Sequence, residues 1–409
     1  MDCPSSRDAC VSFRGGVQLA SKRMAQAMRN RVELDALLLA FGLQSDTRTE
    51  TLLTMSGHVL VCTLARDAAQ RWAPEHDTLD LHLRVQETWV GLDGPQALER
   101  EILIALLASP VGFGYPSVDA LMSQVRVRRN IALAARKTAL AFKTEAAERP
   151  EAYWHYDEDN GFLLRRGSPL IEALVCATQP EATGKLYDFS CYRATEYVIL
   201  LGIAEEVAEH HPRMLEQLQV RNEQHAIRSA LFHDVFLVEY GSMEQPLPAR
   251  YYVPGDRLWF RNPDERSSDV TGYEGSWVIY MGGGLFSNFW QRDRPFTLES
   301  KCLEIYHWRH GVVMDNAGEL QMDEALVEAC LRRTQAEAEA SQQVLQQMMR
   351  MRDAQGVYAD GGCIDCTREY PRGVASSACE LVLPPLPRAS VDAPSSPAPQ
   401  FAAVARAFR

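Results

Sequence analysis

The feature that most constrains the fold of this 409-residue chain is a change of pattern near residue 230. Before it, apolar residues recur at helical spacing, most clearly from Thr195 to Val207. After it, short apolar runs are separated by Gly, Pro and Asp, which is typical of strands joined by turns. We therefore predict mainly helices up to this point, strands between 231 and 315, and one long helix over 322–355.

Local signals refine this outline. Residues 96–145 read as two helices separated by the segment SPVGFGYPS, and Ser117 can cap the second one. The turn residues at 159–161 predict a hairpin. Alternating apolar residues predict strands within 57–92. From about 371 the chain is rich in Pro, Ser and Ala, which predicts a disordered tail over 371–409.

Composition excludes some classes of partner. The net charge of -12 argues against binding of nucleic acid or of an anionic membrane. No segment approaches the roughly 18 apolar residues that a membrane span needs, and the N-terminus lacks the apolar stretch of a secretory signal. The 10 cysteines are scattered along the chain. We therefore expect reduced thiols and a cytoplasmic location.

Cys191 stands at the predicted start of the helix that contains Thr195–Val207. Free N–H groups and the positive end of the helix dipole lower the pKa of a thiol at such a position. A cysteine helix followed by antiparallel strands is the arrangement of papain-like thiol enzymes, in which the strands supply the base. A lone cysteine is more often a small buried apolar residue, so both interpretations stay open at this point.

Four segments resemble a known family in the same order. They lie at 109–140, 187–201, 251–263 and 273–290. Together they are similar to the helical block, nucleophile segment, Gly-Asp turn and acid/base strand of the bacterial spore-coat transglutaminases, which are protein-glutamine γ-glutamyltransferases. The resemblance extends over about residues 98–335 and places Cys191 at the nucleophile position.

The resemblance implies an α+β fold with a papain-like or NlpC-P60-like core, in which the cysteine helix packs on an antiparallel sheet. It also implies a reaction in which the Cys191 thiolate attacks a protein glutamine, ammonia leaves, and a lysine side chain or another primary amine resolves the thioester. This chemistry needs no metal and no cofactor. It does need a proton donor, a base and oxyanion donors.

The sequence departs from the family at three positions. The acidic residue that precedes the family's cysteine is replaced by Ser190, its catalytic glutamate falls on Ser276, and its histidine falls on Asn288. The resemblance therefore assigns Ser276 and Asn288 to the site. Neither residue has the acid/base group that the family carries at that position.

Other residues could supply the lost acid/base group. Glu274 lies two residues from Ser276, and residues two apart in a strand share a face. We predict that Glu274 replaces the family's carboxylate, although a solvated acid at the strand end is an equally good interpretation. His307 or His310 is a further alternative, although a structural or surface histidine is the more common case.

Aromatic residues surround the predicted acid/base strand. Tyr273, Trp277 and Trp290 could line a narrow entrance for the aliphatic stem of the acyl acceptor, or they could be core. The glycine-rich run at 281–286 is predicted to be a strand turn and not a phosphate loop. Cys363 and Cys366 form an isolated CxxC pair, which we interpret as an incidental or labile dithiol without metal.

Three functions remain from the sequence. The first is a transglutaminase-like acyltransferase with Cys191 as nucleophile, and the second is a deamidase or amidase on the same scaffold. The third is a catalytically impaired binding or scaffold protein, which the changes at Ser276 and Asn288 favour. The predicted organisation is an N-terminal extension (1–95), a catalytic domain (96–335), a helix end with the CxxC pair (336–370) and the tail.

Overall fold

The computed structural model describes residues 15–81, 94–141, 147–227, 229–353 and 361–383. The helices are α1 (Met24–Ala40), α2 (Arg66–Trp72), α3 (Pro95–Leu107), α4 (Val118–Lys137), α5 (Leu170–Thr178), α6 (Pro180–Thr183), α7 (Cys191–His210), α8 (Pro212–Gln224), α9 (Ser229–Phe236), α10 (Glu265–Ser268), α11 (Leu298–Gly311), α12 (Glu324–Ala336) and α13 (Ala338–Met348). The strands are β1 (Gly16–Ser21), β2 (Thr47–Thr54), β3 (Gly57–Leu64), β4 (Gly112–Tyr115), β5 (Trp154–Asp157), β6 (Gly161–Leu164), β7 (Leu237–Tyr240), β8 (Arg257–Arg261), β9 (Gly275–Ile279), β10 (Val312–Met314), β11 (Leu320–Met322), β12 (Arg368–Pro371), β13 (Val374–Ala375) and β14 (Ala378–Cys379).

Two four-stranded sheets organise these elements. The N-terminal sheet has the order β2-β3-β1-β4, in which β1 and β4 are parallel and the other pairs antiparallel. The central sheet has the order β7-β12-β8-β9 and is antiparallel throughout. β12 therefore lies inside a sheet whose other strands all come much earlier in the chain.

Helix α7 is the buried centre of the fold. It packs on α4 and α5 and against β9 of the central sheet. Its residues 194–204 are buried on all sides, which fits an apolar run without a polar face. Gly202 lets α4 approach closely, because a Cβ on Gly202 would lie 2.7 Å from the backbone nitrogen of Ile131. The cysteine helix on an antiparallel sheet confirms the predicted α+β papain-like arrangement.

The turn before β8 is held by a buried ion pair. Arg128 of α4 donates to Asp256 at 2.7 Å, and both side chains are fully buried. Asp256 also accepts from the Tyr240 hydroxyl and from the backbone N–H of Val253. Gly255 adopts a φ of 88°, where an L side chain would be strained and would strike Arg128. The Gly-Asp turn thus fixes the central sheet to α4.

Several local predictions are confirmed. Ser117 caps α4 by accepting from the backbone N–H of Ala120, and β5 and β6 form the predicted hairpin. The break between α3 and α4 contains β4. The glycine-rich run forms a turn in which Gly283 donates to the carboxylate of Glu101. Most of the second strand predicted within 57–92 falls in 82–93, outside the described residues.

Two segments predicted as strands are helical. Residues 229–236 form α9, and 298–311 form α11. A short apolar run does not by itself distinguish a buried helix from a strand, and both runs were too short for periodicity to decide. The long helix predicted over 322–355 is two helices, α12 and α13, which break at Glu337.

The predicted domain limits cross continuous structure. One apolar core joins Val17, Leu38 and Leu60 to Ile102 and Leu121, on either side of the limit at 96. Residues 371–383, predicted to belong to the tail, contain β13, β14 and the end of β12, so the predicted start of the tail is too early. Residues 384–409 lie outside the described residues.

The CxxC cysteines have separate surroundings. The sulfur of Cys363 lies 3.4 Å from that of Cys302 and donates to the carbonyl of Met348. The sulfur of Cys366 instead contacts the thioether of Met243 at 3.0 Å. In the part of the chain that the structure describes, no helix combines the length and apolar content that crossing a bilayer requires.

Candidate active site

Cys191 is the first residue of α7, as the sequence predicted. Ser190 caps the helix, because its hydroxyl accepts from the backbone N–H of Arg193 at 3.3 Å. Ser190 thus caps the helix at the position where the resemblance places the family's acidic residue. Cys191 is a free, partly exposed thiol.

The thiol faces the open edge of the central sheet. β9 is the edge strand, and its backbone groups that point away from β8 are free to bond elsewhere. Ile279 uses them to exchange two hydrogen bonds with Ser287. Two residues earlier on the same edge, the backbone N–H of Trp277 donates to the sulfur of Cys191. The cysteine is therefore held by strand backbone.

Burial raises the pKa of the Cys191 thiol above its ordinary value. The N–H groups of Trp277 and Tyr192 and the charge of Lys301 lower it, and the charge of Glu274 raises it, but burial is the largest effect. The expectation of a lowered pKa at the helix start is therefore wrong, since removal of the thiolate from water outweighs the helix terminus.

Lys301 is a buried cation on α11 that the sequence did not single out. Its side chain is 4% exposed, its ammonium donates to Glu304 at 2.9 Å, and it lies 4.0 Å from the centre of the Phe296 ring. Its positive charge acts on the Cys191 thiol and favours the thiolate. The sequence did not indicate this role, because Lys301 lies in a region that was predicted to form strands.

Glu274 and Ser276 lie at the start of the edge strand. Ser276 pairs with Phe260 of β8 and is partly exposed. Glu274 is exposed just before β9, and its charge reaches the thiol. The Glu274 carboxylate thus acts on Cys191 through its charge, and it lies two residues from the position at which the resemblance places the family's glutamate.

Asn288 closes a loop. Its amide donates to the carbonyl of Arg294 at 2.9 Å, and its carbonyl accepts from the backbone N–H of Gln291 at 3.2 Å. Both polar atoms of the side chain are thus engaged within residues 288–294. An amide in these bonds does not exchange a proton as an imidazole does.

The three aromatic residues predicted at the entrance separate in space. Trp277 contacts the ring of Tyr192 edge-on at 5.1 Å and stacks on Trp259 at 5.9 Å, beside the thiol. Tyr273 instead packs on Trp308 and donates to Glu324 of α12. Trp290 packs at the margin of the α7 core.

A buried charge network lies behind Tyr192. Arg257 stacks over the rings of Tyr192 and Trp277 and pairs with Glu369 of β12 at 2.5 Å. Glu369 also pairs with His233 at 3.0 Å. These charges lower the pKa of Glu369 despite its burial, and Glu369 raises that of His233. The network escaped the sequence interpretation because Glu369 lies beyond the segments that resemble the family.

His307 and His310, the alternative bases, face each other on α11 with their Nδ1 atoms 3.0 Å apart. Burial lowers the pKa of His307 to about 4 and also lowers that of His310. Cys330 of α12 joins them, since a potential ligand atom of each of the three side chains lies within 4.8 Å of the others. The structure thus groups the two histidines with one another and with α12.

The cysteine thiol lies at the start of a helix, and this helix packs on the edge of an antiparallel sheet. This arrangement is that of a papain-like thiol protein. The model of the protein-glutamine gamma-glutamyltransferase family matches residues 84–359, which is more than half of the chain. The chain belongs to this family, as the four sequence segments predicted.

Named relatives share this assignment at low identity. The protein-glutamine gamma-glutamyltransferase of Halalkalibacterium halodurans is 25% identical over 198 residues, which is 46% of this chain and 62% of the relative. That of Bacillus subtilis is 23% identical over 188 residues, or 44% of this chain and 69% of the relative. The match therefore spans less than two thirds of the first of these relatives.

A solved structure, the transglutaminase from Geobacillus stearothermophilus without its C-terminal extension, is also similar. It is 19% identical, with a TM-score of 0.36, and the match covers 52% of this chain and 98% of that one.

Proposed function

We propose that the protein is an acyltransferase that joins protein glutamine to lysine side chains or to other primary amines through a thioester on Cys191. The observation that carries the proposal is the position of the thiol, at a helix start and against the N–H of Trp277 on the edge strand. Membership of the family supports the same chemistry.

The first half of the reaction forms the thioester. The Cys191 sulfur attacks the glutamine carboxamide carbon, and the carbonyl oxygen takes the negative charge. The backbone N–H of Cys191, at the start of α7, is suited to stabilise it. The C–N bond then breaks, and the nitrogen leaves as ammonia once it is protonated. Because burial raises the pKa of the thiol, Lys301 has to favour the thiolate before attack.

The second half requires a base. The incoming amine attacks the thioester carbon, loses a proton and releases the thiolate, leaving an isopeptide bond. Glu274 is our candidate for both proton transfers, because it is the carboxylate whose charge acts on the thiol and it lies just before the edge strand. A carboxylic acid can donate to departing ammonia and then, as a carboxylate, accept from the amine.

A scaffold function is the second candidate, and one observation favours it. Asn288 stands where the family has its histidine and uses its amide in a loop, and Ser276 replaces the glutamate. A thiol held by the sheet edge without a working acid/base group would bind glutamine or an amine and would not turn it over.

Incorporation of a fluorescent primary amine into casein tests the proposal, with Cys191→Ala as the blank. We expect wild-type incorporation well above the blank and a thioester adduct that is heavier than the enzyme by the mass of the glutamine substrate minus that of ammonia. Ammonia release without amine incorporation would identify the deamidase. A wild type that matches the blank in both readouts would support the scaffold.

A further inference from the structure

Three side chains outside the thiol site converge at the end of α11. His307 and His310 are three residues apart on α11 and so lie on one face of the helix. Cys330 projects from α12, which packs against α11. The potential ligand atoms of the three side chains all lie within 4.8 Å of one another.

The cluster contains polar atoms that its protein contacts do not satisfy. The two Nδ1 atoms are 3.0 Å apart, and each neutral imidazole carries one hydrogen, so one ring must offer a lone pair there. His307 is 4% exposed, and its Nε2 has no hydrogen-bond partner among the residues that the structure describes. Because no partner holds Nε2 as an acceptor, the His307 hydrogen can lie on Nε2, which leaves the Nδ1 lone pair for a cation.

The ligand types define which ion fits. Two imidazole nitrogens and one thiolate favour borderline or soft cations such as Zn²⁺ over Mg²⁺ or Ca²⁺, which require oxygen ligands. In a tetrahedral zinc site, bond lengths of about 2.0–2.3 Å separate two nitrogens by about 3.3 Å, and a nitrogen from a sulfur by about 3.6 Å. The observed Nδ1–Nδ1 distance of 3.0 Å is close to the first of these values, and the Cys330 sulfur lies within 4.8 Å of a ligand nitrogen of each histidine.

The small side-chain movements that metal binding would require fall on His310 and Cys330. His310 is exposed and Cys330 is partly exposed, so both can rotate and an ion can enter from solvent. His307 is buried and would form the fixed side of the site. Three protein ligands at a partly exposed position leave a fourth place for water.

We propose that His307, His310 and Cys330 bind one Zn²⁺-class cation that ties α11 to α12. The ion would take no part in the transfer reaction. It would fix the helix that carries Lys301, whose charge acts on the Cys191 thiol. The proposal stands independently of the proposed function, because it concerns binding and stability and not turnover.

Cobalt(II) is the probe for the test, because a cobalt–thiolate bond gives a near-ultraviolet charge-transfer band and tetrahedral cobalt gives visible bands. The full chain carrying Cys191→Ala is stripped with a chelator, reduced without a thiol reagent and titrated with Co²⁺. We expect one equivalent with both bands, displaced by Zn²⁺. Absence of the charge-transfer band overturns the proposal.

Matched variants assign the ligands. Cys330→Ser should remove the charge-transfer band, and His310→Gln should weaken binding at least about tenfold, since even groups that only orient a ligand are worth 10–100-fold. Cys379→Ser, which removes a partly exposed thiol outside the cluster, should bind as the parent does. Equal binding by the parent and by Cys330→Ser overturns the proposal.

Thermal unfolding gives a second readout. Zn²⁺ should raise the Tm of the parent, because a ligand that binds the folded state stabilises it. It should raise the Tm of His310→Gln by less, and circular dichroism of that exposed variant should match the parent. An equal rise in both proteins would place the ion elsewhere and refute the assignment.

Discussion

The backbone N–H of Trp277 donates to the sulfur of Cys191 across the open edge of the central sheet. The adjacent residue, Ser276, is where the sequence resemblance places the family's catalytic glutamate. The strand therefore still holds the thiol, but it does so through a backbone N–H group. Such a group does not change its protonation state as a carboxylate does. Proton transfer must therefore come from side chains around this contact.

The reactivity of Cys191 should reflect both its access and its raised pKa. Cys62 and Cys302 are fully buried, so iodoacetamide should label Cys191 at least about tenfold faster than either. Because the pKa is raised, the labelling rate should reach half of its plateau above about pH 8.5, the value of a free cysteine. Mass spectrometry of the adducts against pH checks this. Equal labelling of the three thiols would identify Cys191 as a core residue.

Glu274 should be the acid/base group. Glu274→Gln should lower amine incorporation into casein by about 10²-fold, the usual scale for loss of such a group. Ser276→Glu, which restores the family's carboxylate, should raise incorporation or leave it unchanged. Glu319→Gln, at an exposed acid on another element, is the control. Full activity in Glu274→Gln would show that the proton is transferred by a different residue.

Lys301 should set the ionisation of the thiol. Lys301→Met removes a buried positive charge that favours the thiolate, so the pH dependence of Cys191 labelling should move to higher pH. Lys22→Met, at an exposed lysine beside α1, should leave the profile in place. An unchanged profile in Lys301→Met, with native circular dichroism, would contradict the assignment.

The Arg257–Glu369 pair should matter for stability. Glu369→Gln leaves Arg257, which is 1% exposed, without its carboxylate, and loss of one partner of a buried pair costs about 3 kcal/mol or more. Urea unfolding measures this change in the free energy of unfolding. Glu328→Gln breaks the exposed pair with Arg332 and should have little effect. Equal effects of the two substitutions would mean that the network adds nothing.

His233 should make stability depend on pH. Glu369 raises the pKa of His233 in the folded state. Its protonation therefore stabilises the fold fully below the unfolded pKa of about 6.5, and the gain disappears as the pH rises through the folded value. His233→Gln should accordingly lower the Tm more at about pH 5.5 than at about pH 8.5. A loss that is the same at both values would show that the histidine contributes by packing alone.

Local signals were sufficient for much of the fold. The cap at Ser117, the hairpin at 157–161 and the helix start at Cys191 each depend on residues close together in sequence. Such features are fixed by short-range hydrogen bonds that composition and spacing reveal. The order of the four family-like segments then identified the thiol as the residue of interest.

The features that the sequence did not reveal are those made by distant contacts. α9 and α11 were taken for strands because their apolar runs are short, and only tertiary packing makes them helices. Lys301 reaches the thiol site through the packing of α11 on the sheet. The role of Glu369 was not predicted because its strand, β12, pairs with residues that are distant in sequence. Its partner Arg257 lies 112 positions earlier in the chain.

The insertion of β12 between β7 and β8 has a consequence for biosynthesis. A growing chain can form α7 and expose the thiol long before the ribosome has made the strand that joins the two halves of the sheet. Until then β8 has no neighbour on the side away from β9, and Arg257 lacks Glu369. We therefore expect the sheet whose edge holds Cys191 to be complete only after residue 371 has emerged from the ribosome.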